Sequence, residues 1–178
     1  AAVATYNANF AIGEHRAICA NIEKWLQDSD VPKADIVIGG PPCQGFSLLN
    51  KKRDGDERRA LWEPFMDVVE LSGASIFVME NVPGLLKSFE FDDITCRARA
   101  LGFEMLNPQV LNMADYGVPQ TRRRAIAIGI KSKSFNMDLV PAFPPSATHA
   151  GPTVESELPE WRTVEEFIAD LPDPQGTE

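Results

Sequence analysis

Short β-branched runs alternate along this chain with stretches that carry helical spacing. Residues 35–38 form a compact β-branched run bounded by Gly39 and Gly40, which is typical of a buried parallel strand. Ser75 to Met79 form a second such run, and the apolar residues of 58–72 between the two recur at helical intervals. This alternation predicts an α/β fold with a largely parallel sheet.

The remaining segments predict the edges of this fold. We expect a helix over 2–10, a short strand over 17–22, a loop over 39–57, a helix over about 90–101 and a short helix over 163–169. Residues 103–111 and 125–130 suit two strands with no helix between them. They should form an antiparallel pair at one edge of the sheet.

Size and composition exclude several classes of protein. A chain of 178 residues with 44% hydrophobic and 24% charged residues fits one globular domain and not a disordered or coiled-coil chain. It has no apolar run of about 18 residues that could span a membrane. Three cysteines without a Cys-x-x-Cys pair and two histidines predict neither a zinc site nor a disulfide framework, so a reducing compartment is expected.

The formal charge of −9 is concentrated at one end of the chain. Residues 1–137 hold 16 basic and 17 acidic residues, whereas 138–178 hold one basic and nine acidic residues. The last segment is also rich in proline. We therefore divide the chain into an α/β body over 1–130 and a Pro-rich acidic segment over 131–178.

The loop over 39–47 places Cys43 just past a predicted buried strand. Ligands of open α/β sheets bind beyond the carboxyl ends of the strands, so side chains there can carry chemistry. Pro41 and Pro42 fix the backbone before the cysteine, which suits a nucleophile that must be held still. The alternative is a tight turn with an incidental thiol.

Two more segments lie at predicted strand ends. Glu80 ends an apolar strand and could serve as a general acid, although taken alone this segment fits a solvated carboxylate in an ordinary turn better. On a strand, Arg122 and Arg124 would face the same side, where their guanidinium groups could bind carbonyl or phosphate oxygens. A solvated basic run is the alternative for this segment.

Taken in order, the three segments resemble motifs of the DNA (cytosine-5)-methyltransferases. Gly-Gly-Pro-Pro-Cys-Gln-Gly-Phe-Ser resembles the catalytic loop, Glu-Asn-Val-Pro-Gly the glutamate motif, and Gln-Thr-Arg-Arg-Arg the Gln-x-Arg-x-Arg motif. The resemblance covers about residues 1–130, which it identifies as a catalytic domain incomplete at its N-terminus. Residues 144–149 and 161–164 resemble the entry to the family's target-recognition region, into which 131–178 would lead.

The resemblance implies a partial, Rossmann-like S-adenosylmethionine-dependent methyltransferase fold. It implies methyl transfer to carbon 5 of cytosine in duplex DNA, with the base flipped out and a covalent Cys43 adduct at carbon 6. Glu80 would bind the ring at N3, and Asn81 would help to hold that geometry. Arg122 and Arg124 would hold the base's O2 and nearby backbone.

Further contacts follow from the same resemblance. The donor S-adenosylmethionine would contact Asn21, Pro41 and Pro42, and no metal is expected. The expected nucleic-acid contacts are Gln44, Ser47, Lys51, Lys52, Arg53, Arg58 and Gln120. For the basic residues, phosphate contact and simple solvation are both open.

The sequence lacks two parts of the family pattern, which are the glycine-rich loop that binds the methyl donor and the late motifs. Asn21 also stands where the family usually has Asp. We therefore expect the middle part of a longer enzyme, inactive by itself and binding S-adenosylmethionine weakly or not at all.

The expected setting is a bacterial or phage protein of the cytoplasm, monomeric at full length, with a restriction endonuclease counterpart and no membrane partner. Two alternatives stay open. One is an RNA cytosine-5 methyltransferase relative, although Pro83 favours the DNA branch because the tRNA-methylating relatives usually have Lys there. The other is a non-catalytic remnant that serves as a binding module.

Overall fold

A computed structural model describes residues 1–13, 16–42, 61–131 and 140–171. The chain divides into two compact units, residues 1–32 and residues 33–178. The first unit holds helices α1 (Ala2–Phe10) and α2 (Ile22–Asp28). The helices of the second unit are α3 (Trp62–Ser72), α4 (Phe89–Ala100) and α5 (Glu165–Ile168), and its strands are β1 (Ile36–Gly39), β2 (Ile76–Asn81), β3 (Glu104–Met105), β4 (Gln109–Asn112) and β5 (Arg123–Ile130).

The sheet of the second unit confirms the expected α/β architecture, but it is a mixed sheet in which one of the four described strand pairings is parallel. Strand β1 pairs with β2 in parallel, and β5 runs antiparallel to β2, β3 and β4. Four strands therefore run in one direction and β5 in the other. Ile130 of β5 pairs with Ile76 of β2 and with Glu104 of β3, so β3 and β4 lie along the outer side of β5. The predicted antiparallel edge pair is confirmed.

The predicted strand over 103–111 is interrupted. The ladder still includes the Leu106 N–H, which donates to the Ile128 carbonyl at 2.9 Å. Pro108 follows two residues later, and proline has no N–H to donate to the neighbouring strand. The edge is therefore built from two short strands, β3 and β4.

The predicted strand over 17–22 is wrong. The Asn7 side chain satisfies both backbone groups of Ala17, donating to its carbonyl at 2.9 Å and accepting from its N–H at 2.6 Å. Asn21 accepts from the Lys24 N–H at 3.0 Å and thereby caps the start of α2. Side-chain partners and a helix cap thus replace strand pairing along this stretch.

The core lies between one face of the sheet and helices α3 and α4. Side chains of β2 alternate, so Phe77 and Met79 point into the core while Ile76 and Val78 lie on the other face. The Phe77 ring meets Phe103 edge-on with 5.1 Å between ring centroids. The other core residues are Phe65, Met66 and Val69 from α3, Ile94 and Ala98 from α4, Leu85 and Ala127.

The second face of the sheet is apolar and only partly covered. Residues 140–143 and Pro145 line an open pocket of about 560 Å³ on this face together with Ile76, Val78 and Ile128. In the described part of the chain, β1 pairs on one side only, and Ile38 is 74% exposed. An apolar edge strand of this kind favours association with another strand.

The predicted short helix near the end of the chain is present as α5. The Thr163 N–H donates to Glu166 Oε1 at 2.9 Å, and the Glu166 N–H donates to Thr163 Oγ1 at 3.4 Å. This is the expected capping box. The hydrogen bond from the Thr163 backbone, aided by Arg162, lowers the pKa of Glu166 below its ordinary value. Among the helices of the described ranges, none is long and apolar enough to cross a membrane.

Replacement of Gly129 tests the packing between β5 and β2. A Cβ at Gly129 would lie 2.6 Å from Phe77 Cζ, which is far inside van der Waals contact. We expect Gly129→Ala to lower the free energy of unfolding by about 1–3 kcal/mol, because a full core must then move. Urea unfolding measures this loss.

The matched control is the same substitution in a Phe77→Leu background, where the ring is gone. There Gly129→Ala should cost clearly less. An equal cost in both backgrounds would contradict the packing argument.

Candidate active site at the carboxyl ends of β1 and β2

The described parts of the three sequence segments that can carry chemistry converge at one end of the sheet. Strand β1 ends at Gly39 and continues through Gly40 into Pro41. Strand β2 ends in Glu80 and Asn81. Because β5 is antiparallel to β2, its first residues lie beside the last residues of β2, with Asn81 opposite Ala125 and Glu80 opposite Ile126. The beginning of β5 therefore lies at the carboxyl ends of β1 and β2.

An ion pair joins the second and third segments. Arg124 Nε lies 2.7 Å from Glu80 Oε1, and an Arg124 terminal nitrogen also donates to the Arg123 carbonyl at 2.8 Å. The contact with Arg124 holds the Glu80 carboxylate in one orientation. Because the Glu80 side chain is 41% exposed, the carboxylate is still reachable from solvent. A pair this exposed adds little stability, and its main effect is to orient the two groups.

Asn81 links the first segment to the second. Its side chain is buried, donates from Nδ2 to the Pro41 carbonyl at 3.1 Å and accepts at Oδ1 from the Val82 N–H at 2.8 Å. Both ends of the amide are therefore used. The contact fixes the backbone two residues before Cys43 against the end of β2.

The glycine pair allows close approach between backbone and side chains. A Cβ at Gly40 would lie 3.0 Å from Glu80 Oε2, so the loop backbone runs directly beside the carboxylate. A Cβ at Gly39 would lie 2.8 Å from the Phe65 ring. Sequence reasoning missed Gly40 as a residue of the site, and its place in a Gly-Gly-Pro-Pro run after a strand was the available signal.

Arg122 and Gln120 lie in the turn before β5. Strand β5 begins at Arg123, so Arg122 is not on the strand, and its side chain is exposed. The Arg122 N–H donates to the Gln120 carbonyl at 2.9 Å, and the Gln120 N–H donates to the Val118 carbonyl at 2.7 Å. Of the two arginines predicted to act together, the structure brings Arg124 alone into contact with Glu80.

Several predicted site residues lie outside the described part of the chain. They are Cys43, Gln44, Ser47, Lys51, Lys52, Arg53 and Arg58. Their roles stay predictions.

Asn21 belongs to the first unit and caps α2, as described above. The residues on either side of it, Ala20 and Ile22, line a cavity of about 280 Å³ together with Arg16, Ile18 and Trp25. Within the described ranges, no three His, Cys, Asp or Glu residues cluster closely enough to hold a metal ion.

Known proteins resemble this chain in both sequence and structure. It is similar to the Type II methyltransferase M.DdeI of Desulfomicrobium norvegicum, at 39% identity over 149 residues that cover 80% of this chain and 33% of the relative. It is also similar to the Type II methyltransferase M.AgeI of Thalassovita gelatinovora, at 35% identity over 156 residues, 79% of this chain and 35% of the relative. The chain thus spans about a third of the length of these relatives.

A solved structure of a candidate DNA modification methyltransferase encoded within an E. coli prophage matches with a TM-score of 0.56 and 29% identity, covering 88% of this chain and 40% of that one. The S. pombe Dnmt2 methyltransferase matches in fold, with a TM-score of 0.56 at 21% identity, covering 72% and 40%. The predicted methyltransferase fold is confirmed. The profile of C-5 cytosine-specific DNA methylases matches residues 1–176, and the chain belongs to that family.

Proposed function

We propose that this chain carries the catalytic centre of an enzyme that transfers a methyl group from S-adenosylmethionine to carbon 5 of cytosine in duplex DNA. The observation that carries the proposal is that Glu80, Arg124 and the Asn81–Pro41 contact meet at the carboxyl ends of β1 and β2. Pro41 lies two residues before Cys43 in the sequence. The family membership supports the same chemistry.

Carbon 5 of cytosine is a poor nucleophile, and a covalent step overcomes this. The Cys43 thiolate adds to carbon 6, and the displaced ring electrons make carbon 5 electron-rich enough to attack a methyl group. S-adenosylmethionine supplies that methyl group on a sulfonium, which leaves as a neutral thioether. A base then removes the carbon 5 proton, and the electrons of that bond expel the Cys43 thiolate and restore the ring.

Glu80 assists the addition of the thiolate. In its protonated form, the Glu80 carboxyl gives its proton to N3, which draws electron density away from carbon 6, while its other oxygen accepts from the exocyclic amine and orients the base. The proton returns from N3 to Glu80 when the thiolate leaves. The 2.7 Å contact with Arg124 orients the Glu80 carboxylate before the base arrives. Arg124 also offers donors to the base's O2, with Arg122 and Gln120 beside it in sequence.

Asn81 and Gly40 act by positioning. Asn81 holds the loop that leads to Cys43, and Gly40 lets that loop run close to Glu80. A nucleophile and an acid held in fixed relation avoid the entropic cost of finding that geometry during the reaction.

Access to a paired cytosine requires base flipping, and duplex DNA is the proposed partner. Phosphate contacts are assigned to Lys51, Lys52, Arg53 and Arg58, and further contacts to Gln44 and Ser47. Asn21, Pro41 and Pro42 are the proposed contacts of S-adenosylmethionine. The relatives named Type II methyltransferases support a bacterial restriction-modification setting with a cognate endonuclease. A monomeric enzyme in the cytoplasm is part of the same proposal.

Methyl transfer tests the proposal directly. Labelled S-adenosylmethionine is supplied with mixed-sequence duplex DNA or tRNA to this chain and to a chimera in which it replaces the matching third of M.DdeI. We expect transfer to DNA by the chimera, complete loss in Cys43→Ser, and a loss of about 10²–10⁴-fold in Glu80→Gln.

Cys96→Ser is the matched control, because Cys96 is an exposed thiol on α4 that has no place in the mechanism. It should transfer methyl like the parent. Transfer to tRNA alone would indicate the RNA-directed relative. A folded chimera that methylates neither substrate would overturn the proposal.

Asn81→Ala separates the positioning role from the chemistry. It leaves the Pro41 carbonyl and the Val82 N–H without their buried partner, so we expect a loss of about 1–3 kcal/mol in the free energy of unfolding. Methyl transfer should fall as well, even at temperatures where the variant is fully folded. Urea unfolding and single-turnover transfer measure the two effects.

We expect Gly40→Ala to lower mainly the rate of methyl transfer and Gly39→Ala to lower mainly the free energy of unfolding. A Cβ at Gly40 displaces the Glu80 carboxylate and should slow transfer with little change in stability. A Cβ at Gly39 meets the Phe65 ring and should mainly lower stability. The same pattern in both variants would contradict the assignment of Gly40 to the site.

A further inference from the structure

The turn Met113–Tyr116 joins the C-terminal segment, residues 140–171, to the loop that precedes β5. Asp115 makes the connection with both its side chain and its backbone. Its Oδ1 accepts from Trp161 Nε1 at 2.9 Å, and its carbonyl accepts from the N–H groups of Thr148 and His149 at 2.9 and 3.0 Å. One residue thus binds two separate parts of the C-terminal segment.

Trp161 is held in place from several sides. The Trp161 backbone N–H donates to the Ala150 carbonyl at 2.9 Å, and the Ala150 backbone N–H donates to the Pro159 carbonyl at 2.9 Å. The indole lies against Gly151, where a Cβ would be only 3.2 Å from the ring. These contacts aim the indole N–H at Asp115, and a carboxylate acceptor makes that hydrogen bond charge-assisted.

His149 adds a second contact to the same turn. Gly117 has a φ of +81°, which favours glycine, and a Cβ there would lie 2.9 Å from the His149 ring. The C-terminal segment therefore packs directly on the backbone that follows Asp115.

On its other side the turn is bonded to the arginine loop, residues 117–122. The Met113 N–H donates to the Arg122 carbonyl at 3.0 Å, and the Val118 N–H donates to the Met113 carbonyl at 3.3 Å. Arg122 is followed two residues later by Arg124, which contacts Glu80. A continuous chain of contacts thus runs from Trp161 to the candidate catalytic carboxylate.

We propose that Asp115 and Trp161 are positioning residues that hold the arginine loop in register with the C-terminal segment while DNA is bound. This inference rests on the proposed function. Neither segment pairs with the sheet within the described ranges, and apart from the Ala150–Glu160 bridge neither lies in a ladder. The Tyr116 hydroxyl also donates to the Pro145 carbonyl at 3.1 Å, and residues 140–143, with Pro145, line the pocket on the second face of the sheet. The contacts of Asp115 and Gly117 therefore share in setting the relative position of the two segments.

Hydrogen exchange tests the positioning without any activity. In Trp161→Phe, which keeps a ring beside Gly151 but removes the N–H donor, and in Asp115→Ala, we expect about tenfold faster exchange at the amides of 113–122. Amides of β2 and β5 should be unchanged. Asp115→Asn keeps an acceptor oxygen without its charge and should restore most of the protection. Trp62→Phe is the matched control on α3, outside this network.

Kinetics in the M.DdeI chimera test the consequence for the reaction. Trp161→Phe and Asp115→Ala should raise KM for DNA by about tenfold with kcat within a factor of three, because Arg124 keeps its own contact with Glu80. Asp115→Asn should restore KM.

Unchanged protection at 113–122 would overturn the inference, and so would lost protection with an unchanged KM, since the contact would then be structural only. Failure of the proposed function has a different signature. In that case the parent chimera transfers no methyl, while the exchange measurement still shows whether Asp115 and Trp161 hold the loop.

Discussion

The antiparallel pairing of β5 with β2 is the constraint on which the site depends. A strand parallel to β2 would begin beside the first residues of β2, whereas the antiparallel β5 begins beside its last residues. Arg124 lies two residues before Ile126, the partner of Glu80, and therefore shares its face of the sheet. A slip of one residue would turn Arg124 away from Glu80.

The core holds that register in place. Gly129 lies directly opposite Phe77, and only a glycine leaves room there for the ring that packs between Phe65 and Phe103. Any other alignment of β5 would bring a larger side chain against this ring. The packing of an aromatic cluster at one end of β2 thus fixes the ion pair at the other end, which is how a rigid sheet supports a chemical site.

Buried or partly buried polar groups then attach the loops to this frame. Asn81 satisfies the backbone on both sides of the site, and Asp115 satisfies backbone and indole donors from the C-terminal segment. Such groups must find partners once they leave water, so each of them specifies one arrangement of its loop. The loops around the site are therefore ordered by a few directed hydrogen bonds, while the sheet is ordered by packing.

The sequence by itself determined the α/β class, the antiparallel edge pair, the capping box of α5 and the family motifs, because these follow from local periodicity and from residue types at fixed spacing. The strand predicted over 17–22 was wrong, because the Asn7 side chain bonds the Ala17 backbone and the Asn21 side chain caps α2. Only the tertiary structure decided which strand lies beside β2, that Arg124 rather than Arg122 contacts Glu80, that Gly40 borders the carboxylate and that Asp115 meets Trp161 from 46 residues away. Contacts between residues distant in the chain are set by packing and register, which no local pattern encodes.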